Sequence, residues 1–286
     1  MEKNYNTIVI SGGALKGFAI LGSLQYLVDQ KKLENINKFI ATSVGSIISY
    51  LIIIGYSPIE IMVHLCKNDW LDKLANFDIL NAINGCGAIS FSIITDLLEK
   101  MTIEKIGKIL TMKDLLIKFN KQLICCTYNY SKKCHEFINP YDNPDVPCLI
   151  ALRMTSNLPI LFEPFYYDSC YYIDGALLYN FPGFYINLEK DIAIGIKFQK
   201  NIGETTNYTG KNFLNFLYEL LIIPSISLEE FMNKKYMDKI DIIEINLNNF
   251  QSLNFNITKN DRLELFSNGY ETSKNFFKKS QIIKID

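Results

Sequence analysis

The 286-residue sequence predicts an α/β fold: a central, mostly parallel β-sheet flanked by helices. Three observations predict it. Short apolar runs, Thr7-Ile8-Val9-Ile10 and Lys38-Phe39-Ile40-Ala41, pass through small-residue turns straight into segments with helical spacing of apolar residues. The runs are continuous rather than alternating, as in strands buried on both faces. Apolar residues make up 49% and charged residues 21%, a globular balance that excludes a disordered or low-complexity chain. No repeat, charge run or Pro/Ser linker breaks the pattern, so one domain is expected over residues 1–286.

Taken in order, Thr7–Ile10 is the first strand, and Leu15, Phe18, Ala19, Gly22, Tyr26 and Leu27 mark one face of the helix after it. Lys38–Ala41 is the second strand, and an apolar helix follows that stops near Gly55. Ser57-Pro58-Ile59-Glu60 supplies an N-cap, a first-turn proline and a capping-box acid for the next helix. Helices are expected over Ser90–Met101 and Met112–Phe119. A strand over Gln122–Tyr130 turns at Ser131-Lys132-Lys133 into Cys134–Ile138, a hairpin. Asp145-Val146-Pro147 opens a helix to about Met154, and Phe165–Tyr167 with Cys170–Ile173 flank Asp168-Ser169 as a second hairpin. Asp191–Phe198 and Lys239–Leu247 read as strands, Lys211–Met232 and Asn260–Lys279 as helices.

Twenty-nine basic residues nearly cancel thirty acidic ones, so no overall field attracts nucleic acid or an anionic membrane, and no nucleic acid is expected as a partner. Seven cysteines without a repeated C-x-x-C spacing argue against a disulfide framework or a zinc site and fit a reducing compartment. No His/Asp/Glu cluster has metal-ligand spacing. No apolar signal-like region precedes the first strand, and the longest uncharged apolar stretch, Val44 to Tyr56, falls short of the ~20 residues that span a bilayer. A cytoplasmic protein without signal peptide or transmembrane segment is expected.

Three places can carry chemistry. Gly12-Gly13-Ala14-Leu15-Lys16-Gly17 lies between strand and helix, where free backbone N–H groups bind an anion or oxyanion. It is one residue from a dinucleotide fingerprint, with Ala14 where the backbone should approach a pyrophosphate most closely. A Walker loop is excluded because Phe18 stands where lysine is needed, and a tight turn without ligand remains open. Ala41-Thr42-Ser43-Val44-Gly45 has the small-x-Ser-x-Gly form of a nucleophile elbow, in which small flanking residues let strand and helix approach and the hydroxyl protrude. A plain helix cap is the competing reading. Ile173-Asp174-Gly175-Ala176 is an Asp-Gly turn whose carboxylate becomes a candidate general base if an exposed serine lies near.

The two histidines, His64 and His135, restrict the serine chemistry. A hydrolase triad places its acid and then its histidine well after the serine, and no histidine follows His135. A Ser43, Asp96, His135 triad is compatible with chain order, but nothing local supports it.

Together these residues resemble the patatin-like phospholipases, serine lipid acyl hydrolases that use a Ser–Asp dyad. The family's G-G-G-x-[KR]-G loop is matched by Gly12–Gly17 with Ala14 for the third glycine. Its G-x-S-x-G elbow is matched by Ala41–Gly45 with Ala41 for the first, and its D-G-[GA] element by Asp174-Gly175-Ala176. The stretch from Thr155 to Pro164 resembles the family's A-S-x-x-x-P-x-x-F-x-P, and Asn180 and Pro182 follow at the expected distance.

The resemblance covers at least residues 7 to 200. It implies Ser43 as nucleophile, Asp174 as base, and an oxyanion hole in the Gly12, Gly13, Ala14, Lys16 and Gly17 loop, supplied by the N–H groups of Gly13 and Ala14. Lys16 would hold the loop or meet a head-group phosphate, and Ala41 and Gly45 would frame the elbow. The substrate implied is a glycerophospholipid or another acyl lipid met at a peripheral membrane surface, with no metal or organic cofactor. Phe213–Leu217 and Leu220–Ile223 are the candidate membrane-contact segments. If the third loop position needs φ > 0, Ala14 costs roughly 1–2 kcal/mol. Ala14 and Ala41 motivate the alternative, a catalytically impaired lipid- or membrane-binding protein, against which stands the retention of both Ser43 and Asp174.

Overall fold

The computed structural model describes residues 3–67, 70–75, 78, 80, 84, 87–199, 213–247, 250 and 252–282. Their strands are β1 (Thr7–Ile10), β2 (Lys38–Thr42), β3 (Gln122–Asn129), β4 (Cys134–Ile138), β5 (Phe165–Tyr167), β6 (Cys170–Asp174), β7 (Ala193–Phe198) and β8 (Ile240–Ile245). They join in one sheet in the hydrogen-bonded order β5-β6-β3-β2-β1-β7-β8, with β4 also on β3. The central pairings β3-β2, β2-β1, β1-β7 and β7-β8 are parallel; those of β4, β5 and β6 are antiparallel.

One consequence of register positions everything that follows. Residues 125 and 126 of β3 pair with β2 and β4 at once, and residues 127–129 pair with β4 and β6 at once. A strand has two edges, so β2 and β6 share one edge of β3. They run toward each other and meet between the pairs Thr42↔Cys126 and Asp174↔Thr127.

The helices are α1 (Gly17–Asp29), α2 (Val44–Ile53), α3 (Pro58–Lys67), α4 (Trp70–Ala75), α5 (Ser92–Ile106), α6 (Met112–Phe119), α7 (Cys148–Thr155), α8 (Phe213–Asn233) and α9 (Lys259–Ile282). Alternation along the strands divides the core. Ile8, Ile10, Phe39, Ala41, Leu123 and Cys125 face the large core formed with the helices. Val9, Ile40 and Ile124 face a smaller one closed by Phe181 and Ile186. The first core is tightened where α1 crosses α9: a Cβ on Gly22 would stand 1.8 Å from the Phe266 carbonyl oxygen, and one on Gly269 1.8 Å from that of Ala19. Only glycine permits backbones this close.

The expected elements form with small shifts. The capping box at Ser57 is present, with Ser57 N–H donating to Glu60 and Glu60 N–H to Ser57 Oγ. The helix expected from Asp145 starts at Cys148, because Pro147 holds Val146 out of the helical region. The strand expected from Asp191 starts at Ala193, since Asp191 instead closes a turn, accepting from Asn187 N–H and Lys38 Nζ, each at 2.8 Å. Residues 211 and 212 of the expected Lys211–Met232 helix lie outside the described residues. Among the described residues no single helix is long and apolar enough to cross a membrane; α2 and α3 together pass by length and composition but are bent by 116°.

Candidate active site

Ser43 sits where β2 turns into α2, with φ 54° and ψ −129°, a left-handed conformation that costs energy in a non-glycine residue and is common at functional turns. Gly45 makes the turn possible, because a Cβ there would lie 2.5 Å from the Ser11 carbonyl oxygen at the end of β1. Ala41 is fully buried in β2, in register with Ile10 and Cys125; its methyl is accommodated. The Ser43 N–H donates to Thr155 Oγ1 at 3.0 Å, and the Thr155 hydroxyl donates to the Cys126 carbonyl. The serine is thereby tied to α7 and β3.

Asp174 ends β6, brought beside Ser43 by the end-to-end meeting with β2. Its Oδ2 accepts the Ser43 hydroxyl at 2.7 Å, its Oδ1 accepts the Ala176 N–H at 2.8 Å, and its own N–H donates to the Asn157 carbonyl at 2.9 Å. Gly175 is required because a Cβ would stand 2.3 Å from the Cys126 carbonyl oxygen. The carboxyl is buried, and burial pushes its pKa up to about 7, against the opposing pull of the Ala176 amide and the Ser43 hydroxyl. A base near neutrality is suited to proton transfer.

The Gly12–Gly17 loop lies alongside. Gly12 N–H donates to the Asn180 carbonyl (3.1 Å), Leu15 N–H to the Ser252 carbonyl (3.3 Å) and Lys16 N–H to the Gly13 carbonyl (3.0 Å). The N–H groups of Gly13 and Ala14 have no hydrogen-bond acceptor among the described residues. Ala14 adopts φ 48°, the left-handed conformation foreseen for a glycine. Close approach rather than φ fixes the other glycines: a Cβ on Gly12 would meet Asn180 Oδ1 at 2.7 Å, on Gly13 the Phe198 ring at 2.5 Å, and on Gly17 the Val44 side chain at 2.8 Å. Lys16 Nζ lies 5.4 Å above the same Phe198 ring.

From Gly13, Ala14, Ser43 and Asp174 a cavity of about 140 Å³ runs into the large core between α1, α2, α4 and α5. Phe18, Leu51, Trp70, Leu74, Leu98 and Met101 line it, and among the described residues Asp174 is the one ionisable group in its wall. The histidines are elsewhere. His64 stands on α3 with Nε2 3.8 Å from Glu104, and His135 is exposed on β4 against Phe137 and Tyr179; neither lines the cavity. Asp96 is exposed on α5. The Ser43, Asp96, His135 combination is therefore not assembled. No group of His, Cys, Asp and Glu suited to a metal ion occurs among the described residues.

Sequence reasoning gave no role to several residues that hold this geometry. Arg153, buried on α7, donates to Asn157 Oδ1 at 2.7 Å and to the Glu163 carbonyl at 2.9 Å, and lies 4.1 Å from the Phe91 ring. Burial lowers its pKa to about 10, partly offset by Glu163, so it stays charged at neutral pH. Asn157, which receives the Asp174 N–H, also donates to the Tyr172 carbonyl at 2.6 Å. The Thr155–Pro164 motif was the available signal for Asn157; Arg153, Phe198 and Ser252 had none.

A hydroxyl donating to a buried carboxylate, two free amides beside it and an apolar cavity suit acyl transfer, with serine as nucleophile and a carboxylate as base. Comparison with known proteins agrees with that class. The patatin-like phospholipase family profile matches residues 8–183. Probable lipid hydrolase 463L of Invertebrate iridescent virus 6 is 38% identical over 205 residues, covering 70% of this chain and 67% of that protein. The uncharacterized protein R571 of Acanthamoeba polyphaga mimivirus is 27% identical over 295 residues, 99% of this chain and 96% of that one. The chain belongs to the patatin-like phospholipase family. Among solved structures, VipD from Legionella pneumophila aligns with a TM-score of 0.60 at 16% identity, over 97% of this chain and 67% of that one. ExoU aligns at 0.56 and 14%, and the chain spans about half of its length (53%). At these identities the likeness concerns the fold.

Proposed function

We propose that this protein is a lipid acyl hydrolase that cleaves the acyl esters of glycerophospholipids through a Ser43 acyl-enzyme, with Asp174 as the base. The observation that carries the reading is the 2.7 Å Ser43–Asp174 hydrogen bond at the polar end of an otherwise apolar cavity. Asp174 takes the serine proton as Oγ attacks the ester carbonyl. The oxyanion is stabilised by the Gly13 and Ala14 amides, with the N-terminus of α2 adding partial positive charge. The tetrahedral intermediate collapses by breaking the ester C–O bond, and the departing alkoxide takes the proton from Asp174. Water, deprotonated by the same carboxylate, then releases the fatty acid. The acyl chain occupies the apolar cavity, as transfer of hydrocarbon from water favours. Only hydroxyl, carboxylate and amide groups act, so no metal or cofactor enters the scheme.

Ala14 supports turnover over the impaired alternative, since it holds the left-handed φ of a glycine and leaves its amide free. The test is mass spectrometry of products from mixed phospholipid vesicles, with fluorophosphonate labelling in parallel. Lysophospholipid and fatty acid are expected from the parent chain, with stoichiometric labelling at Ser43, and neither from Ser43→Ala. Labelling that persists in the variant would overturn the assignment.

A further inference from the structure

The helix α8 is built the wrong way round for a core helix. Eleven of its fifteen described side chains are apolar, yet the two that are buried are Ser225 and Glu229. Glu229 Oε2 accepts the Phe181 N–H at 3.1 Å, and Ser225 Oγ donates to the Ile222 carbonyl. Leu220, Ile223, Pro224 and Phe231 are exposed, Phe231 to 78%. At about 100° per residue these four fall within roughly a third of the circumference, opposite Ser225 and Glu229, with the exposed Ser227 among them and the exposed Glu230 at the edge. Of the segments singled out in the sequence, Leu220 and Ile223 are thus on the surface, Phe216, Leu217, Leu221 and Ile222 are half-buried, and the side chains of residues 213–215 lie outside the described residues.

The position of this ridge indicates its partner. The buried side of α8 packs on the turns Gly175–Leu177 and Gly183–Tyr185, and the first of these follows Asp174 directly and contributes Ala176 to the cavity wall. The exposed Lys234 and Lys235 follow the apolar arc, beside Tyr236, the arrangement of cations and aromatic rings found at head-group depth. A convex ridge one helix wide needs a matching groove to dock on a protein, whereas a fluid lipid interface accepts it as it is.

We infer that α8 is the element by which this protein rests on a lipid bilayer surface, placing the Asp174 turn and the cavity beside the membrane. The inference rests on the lipid-hydrolase reading and deepens it by assigning the surface that meets the substrate's own phase.

The test uses the full chain carrying Ser43→Ala, so that lipid is not consumed, with vesicles of phosphatidylcholine alone or mixed with phosphatidylserine. Adding Leu220→Ser, Ile223→Ser and Phe231→Ser is expected to weaken co-flotation at least about tenfold. With Ser43 restored, the same three substitutions are expected to leave hydrolysis of a short water-soluble ester unchanged. Flotation needs no turnover, so failure of the hydrolase reading would appear in the ester assay alone. A single substitution, Phe231→Trp, guards against misfolding of the triple variant. The sequence has one tryptophan, and the added emission is expected to be quenched by lipids brominated near the head group. Absence of flotation by the parent, equal flotation of parent and triple variant, or no added quenching would overturn the inference. So would a parent dimer that the triple variant converts to monomer, which would assign the ridge to a second copy of the chain.

Discussion

The Ser43–Asp174 pair and the Gly12–Gly17 loop lie side by side, but different parts of the chain hold them. The pair is fixed by β2, β3, β6 and the Thr155–Asn157 corner, through backbone register and short hydrogen bonds. All of those residues fall within the 8–183 span shared with the family. The loop leans on Phe198 and on the Ser252 carbonyl, and the helix behind it is clamped by α9 through Gly22 and Gly269. Those supports lie beyond residue 183, while Asn180, whose carbonyl accepts the Gly12 N–H, lies within it. The proposed proton transfer and oxyanion binding therefore rest largely on different supports, and they should be separable by substitution.

The largest expected effect comes from the pair. Asp174→Asn should lower kcat/KM by about 10²–10⁴-fold, the usual worth of a general base, while the near-isosteric amide keeps the Ala176 contact. His64→Ala and His135→Ala should each stay within about tenfold, roughly 1.4 kcal/mol of barrier. With the Asp174 pKa raised to about 7, the parent rate should fall about tenfold per pH unit below neutrality as the base protonates. Stability moves the other way. A carboxyl whose folded pKa is raised contributes stability that is full below its unfolded value and is lost as pH rises through about 7. Asp174→Asn should thus melt above the parent at pH 8, with the gap closing toward pH 4. A variant as active as the parent would break the assignment of the base.

Next comes the loop. Gly13→Ala places a Cβ 2.5 Å from the Phe198 ring, so loop or ring must move. Displacing one oxyanion donor costs about 10²–10³-fold in kcat. Its pH profile should keep the parent midpoint, because the base is untouched, and Phe198→Ala added to Gly13→Ala should recover part of the rate in a double-mutant cycle. A shifted midpoint would mean that the two scaffolds are coupled. The smallest effect is expected from Ala14→Gly. Relieving the left-handed strain at φ 48°, less the extra unfolded-state entropy of glycine, should raise stability by about 0.5–1 kcal/mol in denaturant melts and change kcat little.

The parts of this site legible in the sequence are those encoded over short distances. Buried parallel strands read as continuous apolar runs, so Thr7–Ile10 and Lys38–Ala41 and the turns after them stood out, as did the Ser57–Glu60 capping box and the β3–β4 hairpin. What stayed hidden was long-range. Nothing near Ser43 indicates that a strand 131 residues on abuts β2 along the edge of β3. Phe198 and Ser252 act through a ring face and a main-chain carbonyl, neither of which leaves a pattern. For α8 the composition was visible but its orientation was not, because an apolar helix looks the same in sequence whether its ridge faces the core or the outside.

The head-on meeting of β2 and β6 also sets an order of events during synthesis. Ser43 leaves the ribosome 131 residues ahead of Asp174, and the Ser252 support for the loop leaves later still. A nascent chain halted before β6 carries Ser43 without the carboxylate proposed to activate it, so it should not react with a fluorophosphonate probe, whereas the released full chain should. Reaction of a chain stalled at residue 160 would contradict this. The interrupted edge of β3 thus makes the proposed activity wait for the arrival of β6.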